Sequence, residues 1–238
     1  MTARLGLVVP SSNTTAEPEF RAMAPDGTTV HAARMPLEDV TVDGLDEMAS
    51  GAERAAELLA HADIDALAYA CTTGSLLHGP GFDAELESRL SEAAGAPAVA
   101  TALSAKRALT AVDAETIAVV TPYAAELNDR EREYLTGAGF EVAALDGRGL
   151  VDNTEIGDLT PEDARRQVEA AVPDDTSVDA VFVSCTNYRT VPALSDLEDT
   201  LGVPVISSNA ATMWDLADRL GLTPTLDSTL ADASAADR

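Results

Sequence analysis

Two cysteines, Cys71 and Cys185, stand at the ends of short apolar runs and open the segments Cys-Thr-Thr-Gly-Ser and Cys-Thr-Asn-Tyr-Arg. A thiolate attacks electron-poor carbon, and a thiol can carry a proton to or from a reacting centre. Backbone amides left free just after a strand lower a thiol's pKa and bind anions. One isolated free cysteine is more often a small buried hydrophobe. Repetition sets this pair apart. Ile64-Asp-Ala-Leu-Ala-Tyr-Ala-Cys71-Thr72 aligns with Val178-Asp-Ala-Val-Phe-Val-Ser-Cys185-Thr186 at an offset of 114 residues. Leu7-Val-Val-Pro10 aligns with Ala118-Val-Val-Thr-Pro122 at 112, and Ala96-Pro-Ala-Val with Val203-Pro-Val-Ile at 107. Three collinear matches at nearly one period indicate a duplicated unit whose only two cysteines are equivalent.

Polar residues at the other strand ends extend the candidate site. Pro10-Ser-Ser-Asn-Thr-Thr15 follows the first apolar run, and Ser12 and Asn13 in it could hold a carboxylate or cap a helix. Thr72, Thr186 and Asn187 adjoin the cysteines. Tyr123 follows Pro122 and could donate to an anion or pack in the core. Asn153 is a loop residue in Val-Asp-Asn-Thr-Glu-Ile, and Arg189 could pair with a carboxylate or lie on the surface. His31, His61 and His78 show no metal-ligand spacing with one another or with a cysteine. No phosphate-binding glycine loop and no Gly-x-Ser-x-Gly elbow occurs. The residues themselves call for no metal and no cofactor.

These residues need a scaffold that aims strand ends at one another. Apolar runs at 5–9, 66–70, 97–100, 116–120, 141–145, 180–183 and 203–206 read as strands. Helical spacing covers 53–62, 82–94, 102–111, 124–136, 161–171, 194–201 and 210–220, with Thr160 as the N-cap of the 161–171 helix. The polar tail from Thr223 is expected to fray. Alternating strands and helices predict an α/β fold with two pseudo-twofold-related parallel-sheet subdomains and the active site in the cleft between them. The expected division puts 1–100 plus 208–238 in the N-terminal half and 101–207 in the C-terminal half.

Charge narrows the setting. Forty-one acidic residues against fifteen basic ones give a formal charge of −26, and Lys106 is the only lysine. The acids are interspersed among apolar residues, which predicts a solvated acidic surface on a folded core. Nucleic acid and anionic membranes are excluded as partners by like charge. No run approaches the roughly 18 apolar residues of a membrane span, and the start lacks a secretory pattern, so a cytoplasmic, salt-rich setting is expected.

The chain resembles the aspartate/glutamate racemase superfamily, and within it the maleate cis–trans isomerase branch, over nearly its whole length. The resemblance rests on Gly6-Leu-Val-Val-Pro-Ser-Ser-Asn13-Thr-Thr-Ala-Glu17-Pro-Glu19, on both cysteine segments, on Val-Thr-Pro-Tyr123, and on Asp152-Asn153 followed by Thr-Glu-Ile-Gly. It implies Cys71 and Cys185 as the catalytic pair and Asn13, Tyr123 and Asn153 as ligands of substrate carboxylates. It also implies a small dicarboxylate substrate, no cofactor, and a homodimer or higher homo-oligomer. Arylmalonate decarboxylases are similar but keep only the second cysteine. Aspartate and glutamate racemases open with an Asp-Ser-Gly type loop that is absent here. A two-cysteine amino-acid racemase and a non-catalytic carboxylate-binding module are the alternatives.

Overall fold

Leu5 to Val9 is apolar without alternation because the strand it forms is covered on both faces. In the computed structural model, which describes residues 2–172 and 177–233, β1 (Arg4–Pro10) is buried from Leu5 onward. It pairs in parallel with β2 (Thr29–Met35) on one side and β3 (Ala66–Tyr69) on the other, and β4 (Ala98–Ala100) extends the sheet in the order β2-β1-β3-β4. The second sheet repeats this plan. β5 (Thr116–Tyr123) lies between β6 (Glu141–Leu150) and β7 (Ala180–Val183), with β8 (Val205–Ser207) outermost, in the order β6-β5-β7-β8. In each sheet the chain winds first to one side of the opening strand and then to the other. The order therefore reverses between β1 and β3 and between β5 and β7, where open parallel sheets leave a crevice at their carboxyl ends. Pro10 and Cys71 stand at one such crevice, Tyr123 and Cys185 at the other.

The helices are α1 (Ala16–Met23), α2 (Val42–Ala49), α3 (Ala52–Ala60), α4 (Thr72–Leu76), α5 (Phe82–Ala94), α6 (Thr101–Ala111), α7 (Ala125–Gly137), α8 (Asn153–Gly157), α9 (Pro161–Ala171), α10 (Leu194–Leu201) and α11 (Ser208–Asp218). α9 begins with the expected Thr160 cap, as a full capping box with Asp163. α11 packs against α6, β3, β4 and β8, so it touches both sheets. Among the described residues no helix is long and apolar enough to cross a membrane.

Periodicity finds the buried strands and misses β2. That strand lies at a sheet edge with most of its residues partly exposed, and so carries no apolar run. α1, α2, α4 and α8 are eight residues or shorter and show little helical spacing, whereas α10, also eight residues, is legible from Leu194, Leu197 and Leu201. The expectation that the tail frays from Thr223 is wrong for the described part. Thr225 N–H donates to Met23 at 2.8 Å, Leu230 is fully buried, and the Trp214 indole donates to the Ala233 carbonyl at 3.2 Å. Residues 234–238 lie outside the described residues.

A buried carboxylate ties the two sheets' loops together. Glu19 in α1 accepts from the backbone N–H of Thr190 and of Val191, each at 3.0 Å, and from Asn209 Nδ2 at 2.6 Å. Burial pushes its pKa up to about 7 against the lowering effect of those bonds. Removing it leaves three buried donors without an acceptor. Glu19→Ala is therefore expected to cost about 3 kcal/mol and about 10 °C in Tm. Thermal unfolding followed by circular dichroism checks this, and a variant as stable as the parent would contradict it.

Candidate active site

Cys71 is the N-cap of α4 and Cys185 ends the run after β7, and both residues line one small, tightly closed cavity. The two cysteine segments, one from each sheet, thus meet at one cavity. Pro10, Asn13, Leu37, Val40, Thr72, Thr73, Tyr123, Asn153, Thr186 and Asn187 complete the walls. Of the residues singled out in the sequence, only Ser12 and Arg189 are absent from the lining. Ser12 stands one step behind it, accepting from Asn153 Nδ2 at 2.8 Å and donating to the Leu37 carbonyl at 2.5 Å. Leu37, Val40 and Thr73 were not anticipated, because they lie on a connecting loop and one turn past the cysteine.

Backbone conformation sets the second thiol. Cys185 has φ of 100°, a region that side chains other than glycine rarely occupy and that recurs at functional turns. Its own N–H donates to Ser208 Oγ at 3.0 Å, and Tyr188 N–H closes the turn on the Cys185 carbonyl at 3.2 Å. Glycine is needed beside the other thiol. A Cβ on Gly74 would stand 2.7 Å from Tyr69 Oη, 2.8 Å from Met48 Cε and 3.1 Å from Cys71 Sγ.

Of the two readings its loop allowed, Asn13 takes the helix-opening one and keeps a hydrogen in hand. Its Oδ1 accepts from Thr15 and Ala16 N–H at 3.0 and 2.9 Å and so opens α1, while its Nδ2 donates to Thr186 Oγ1 at 3.1 Å. A carboxamide has two hydrogens, which leaves one for the cavity. Asn153 has the same balance, with one hydrogen on Ser12 and one remaining. Asn187 has none to offer from its side chain. Its Nδ2 donates to the Asn153 carbonyl at 2.6 Å and to Asn153 Oδ1 at 3.1 Å, and its Oδ1 accepts from Thr14 N–H at 2.8 Å. The Pro10–Asn13 loop is clamped from outside by Arg34, whose guanidinium donates to the carbonyls of Ser11 and Asn13 at 3.1 and 2.9 Å.

Both thiols are held neutral. Burial pushes Cys71 up to about 11, against the Gly74 N–H and the Thr73 hydroxyl. Burial pushes Cys185 up to about 12, with the neighbouring Cys71 adding to the rise, against hydrogen bonds from the Tyr123 hydroxyl and the Asn187 N–H. Burial also carries Tyr123 well above the ordinary phenol value, so its hydroxyl stays protonated and donates to Cys185. Among the described residues no three His, Cys, Asp or Glu side chains gather where they could hold a metal ion. A larger, open groove runs past Glu198, Asp199, Asp227 and Asp232. It carries four acids and no thiol, and it is not the site of this chemistry.

Two buried thiols at the switch points of paired parallel sheets, in one cavity walled by neutral amides and hydroxyls, define a two-cysteine α/β enzyme. The chain belongs to the arylmalonate decarboxylase family, whose model matches residues 5–230. Among curated proteins it is 34% identical to a maleate isomerase of Geobacillus stearothermophilus, over 92% of each chain. A solved structure of a cysteine-to-alanine maleate isomerase from Pseudomonas putida, with maleate, superposes with a TM-score of 0.92 at 28% identity, covering 98% of both chains. A cysteine-to-serine maleate cis–trans isomerase of Nocardia farcinica, with a covalently bound succinylcysteine intermediate, superposes with a TM-score of 0.89 at 28% identity. It covers 96% of this chain and 98% of that one.

Two substitutions test the site's construction. Gly74→Ala is expected to fold and to lose at least about 100-fold in turnover, since a 1 Å displacement of the adjacent sulfur suffices for that. Unchanged turnover would contradict the crowding around Cys71. Glu131 in α7 is fully buried behind Tyr123, and burial raises its pKa to about 7 against the opposing effect of the Ser184 hydroxyl. Between its ordinary value and about 7 the folded state holds a proton that the unfolded state has released. Stability is thus greatest at low pH and falls as pH rises through 7. Glu131→Gln is expected to reduce the loss between pH 5 and 8 by about 2 kcal/mol, read from urea unfolding at each pH. An unaltered slope would contradict it.

Proposed function

We propose that the protein isomerises maleate to fumarate through a covalent adduct on Cys71. The observation that carries this reading is the single cavity in which both sulfurs meet the free donors of Asn13, Asn153 and Thr72. The protein is an isomerase of the maleate cis–trans type.

The two thiols act as one proton-balanced pair. Maleate is an electron-poor alkene between two carboxylates. Cys71 sulfur bonds to one alkene carbon, and the electron pair of the double bond moves onto the second carbon and into the carboxylate that carbon bears. Donors already in place stabilise that charge, as an oxyanion hole does. Cys185 delivers its proton to the second carbon and takes over the proton that leaves Cys71, so neither sulfur gains net charge. The central bond is now single and rotates. Reversal of the same transfers expels the Cys71 sulfur and releases fumarate. We assign the attack to Cys71, the N-cap of α4, and the proton delivery to Cys185.

Asn13 and Asn153 are assigned to the substrate carboxylates, with Thr72 at the Cys71 end. Tyr123 supports Cys185 through its hydroxyl. Ser12, Thr186 and Asn187 position these groups from behind. The division into 1–100 plus 208–238 and 101–207 is kept as part of this reading, with α11 as the joint, since it packs on β3 and β4 of the first half and on α6 and β8 of the second. A homo-oligomer in a salt-rich cytoplasm is the assembly and setting that the family resemblance and the acidic surface favour.

Incubation with maleate at high and at low KCl, followed by proton NMR, tests the reading. Fumarate is expected, faster in high salt. Cys71→Ala is expected to abolish it and Cys185→Ser to slow it about 10³-fold. Intact mass of Cys185→Ser after exposure to maleate is expected to gain one dicarboxyethyl group on Cys71. No fumarate, or conversion of L-aspartate to the D form instead, would overturn the assignment.

A further inference from the structure

Ser208, the first residue of α11, is fully buried and lies between the two cysteine segments. Its Oγ accepts from the Cys185 N–H at 3.0 Å and stands 2.8 Å from Thr72 Oγ1. A hydroxyl carries one hydrogen and two acceptor positions. The amide can only donate, so the Ser208 hydrogen needs another acceptor. Among the described residues Thr72 Oγ1 is the partner in reach, and a buried O–H with none is disfavoured. This sets the direction of the pair: Ser208 donates and Thr72 accepts. The Thr72 hydrogen is thereby turned toward the cavity that Thr72 lines.

Thr186, the counterpart of Thr72 in the second cysteine segment, is arranged the other way. Its Oγ1 accepts from Asn13 and donates to the Ala70 carbonyl at 3.0 Å, which leaves no hydrogen for a ligand. The two equivalent threonines are therefore unequal, and only the one beside Cys71 can donate.

We infer that Ser208 is a positioning residue that fixes Thr72 as the hydroxyl donor to one substrate carboxylate, on the Cys71 side, and links that donor to the backbone of Cys185. The inference rests on the maleate reading. It gives a symmetric diacid a defined end to be held by, and hence a defined carbon facing Cys71.

Kinetics with maleate and calorimetric binding of succinate, an unreactive diacid, test this in Ser208→Ala, Thr72→Val and the double variant. Each single change is expected to raise KM and weaken succinate binding about 10-fold, with a smaller effect on kcat. The double variant is expected to be no worse than the weaker single one, because both remove the same donor. Losses that multiply in the double variant, or an effect on kcat alone, would overturn the inference. Thr72→Ser keeps the hydroxyl and is expected to restore succinate affinity. Should Ser208→Ala be insoluble, Ser208→Cys retains a weaker donor and is expected to give an intermediate loss, and no loss would count against the inference. Failure of the parent protein to turn over maleate and to bind succinate would remove the substrate reading and this inference with it. Turnover with multiplicative losses removes this inference alone.

Discussion

Each cysteine segment is held by the sheet to which it does not belong, and the site depends on that exchange. Thr186, next to Cys185, donates to the carbonyl of Ala70, next to Cys71. Asn13 and Thr14, from the loop after β1, bond to Thr186 and Asn187. Thr72 meets Ser208 at the start of α11, and Glu19 receives the amides of Thr190 and Val191. Most of these groups are buried, so an unmade bond among them carries a desolvation cost with little water to offset it. Either the halves dock in one register with every bond made, or the site is not formed. The facing of the two thiols is thus a property of the docked pair of sheets.

The same burial explains why a thiol enzyme can hold its sulfurs in their neutral form. A thiolate in a closed cavity would need a counter-charge, and the lining offers none: its side chains are neutral amides, hydroxyls and hydrocarbons. Cys71 and Cys185 consequently sit well above the ordinary thiol value. That is a handicap for a lone nucleophile, which needs its thiolate. It is none for a pair that passes a proton between partners of nearly matched acidity, because no step leaves a bare charge on sulfur. The negative charge of the reaction stays on the substrate, where the free hydrogens of Asn13, Asn153 and Thr72 await it.

Much of this was legible in the sequence, for a physical reason. Strands buried on both faces must be apolar throughout, so β1, β3, β5 and β7 announce themselves, and their last residues are by geometry the ones that face a crevice. The duplication then makes Cys71 and Cys185 equivalent before any coordinate is known. What was not legible is what tertiary packing alone decides. Nothing local in Ser207-Ser208-Asn209 distinguishes a helix start from a hinge between two active segments, although its place after β8, at the same end of the sheet, was the available clue. Nor does the spelling of Thr72 and Thr186 reveal that one hydroxyl is free and the other committed. Leu37 and Val40 come from a connection whose path over the cavity no pattern encodes; it is pinned by the bond from Val40 N–H to the Val151 carbonyl at 2.8 Å.

The net charge of −26 poses the remaining question, since the proposed substrate is a dianion. Surface carboxylates act through water and are screened beyond about 8 Å at physiological salt, and over shorter distances in a salt-rich medium. The cavity's own groups act at contact distance in a medium of low polarity, where a neutral donor outweighs many distant charges. No carboxylate is among the residues that line it, whereas the open groove beside α10 has four. Acidic residues are therefore arranged by location: dense on the solvated surface, absent from the walls that must receive a dicarboxylate. Salt reconciles the two demands, because it weakens repulsion between the surface and the incoming substrate and leaves the short hydrogen bonds inside nearly untouched.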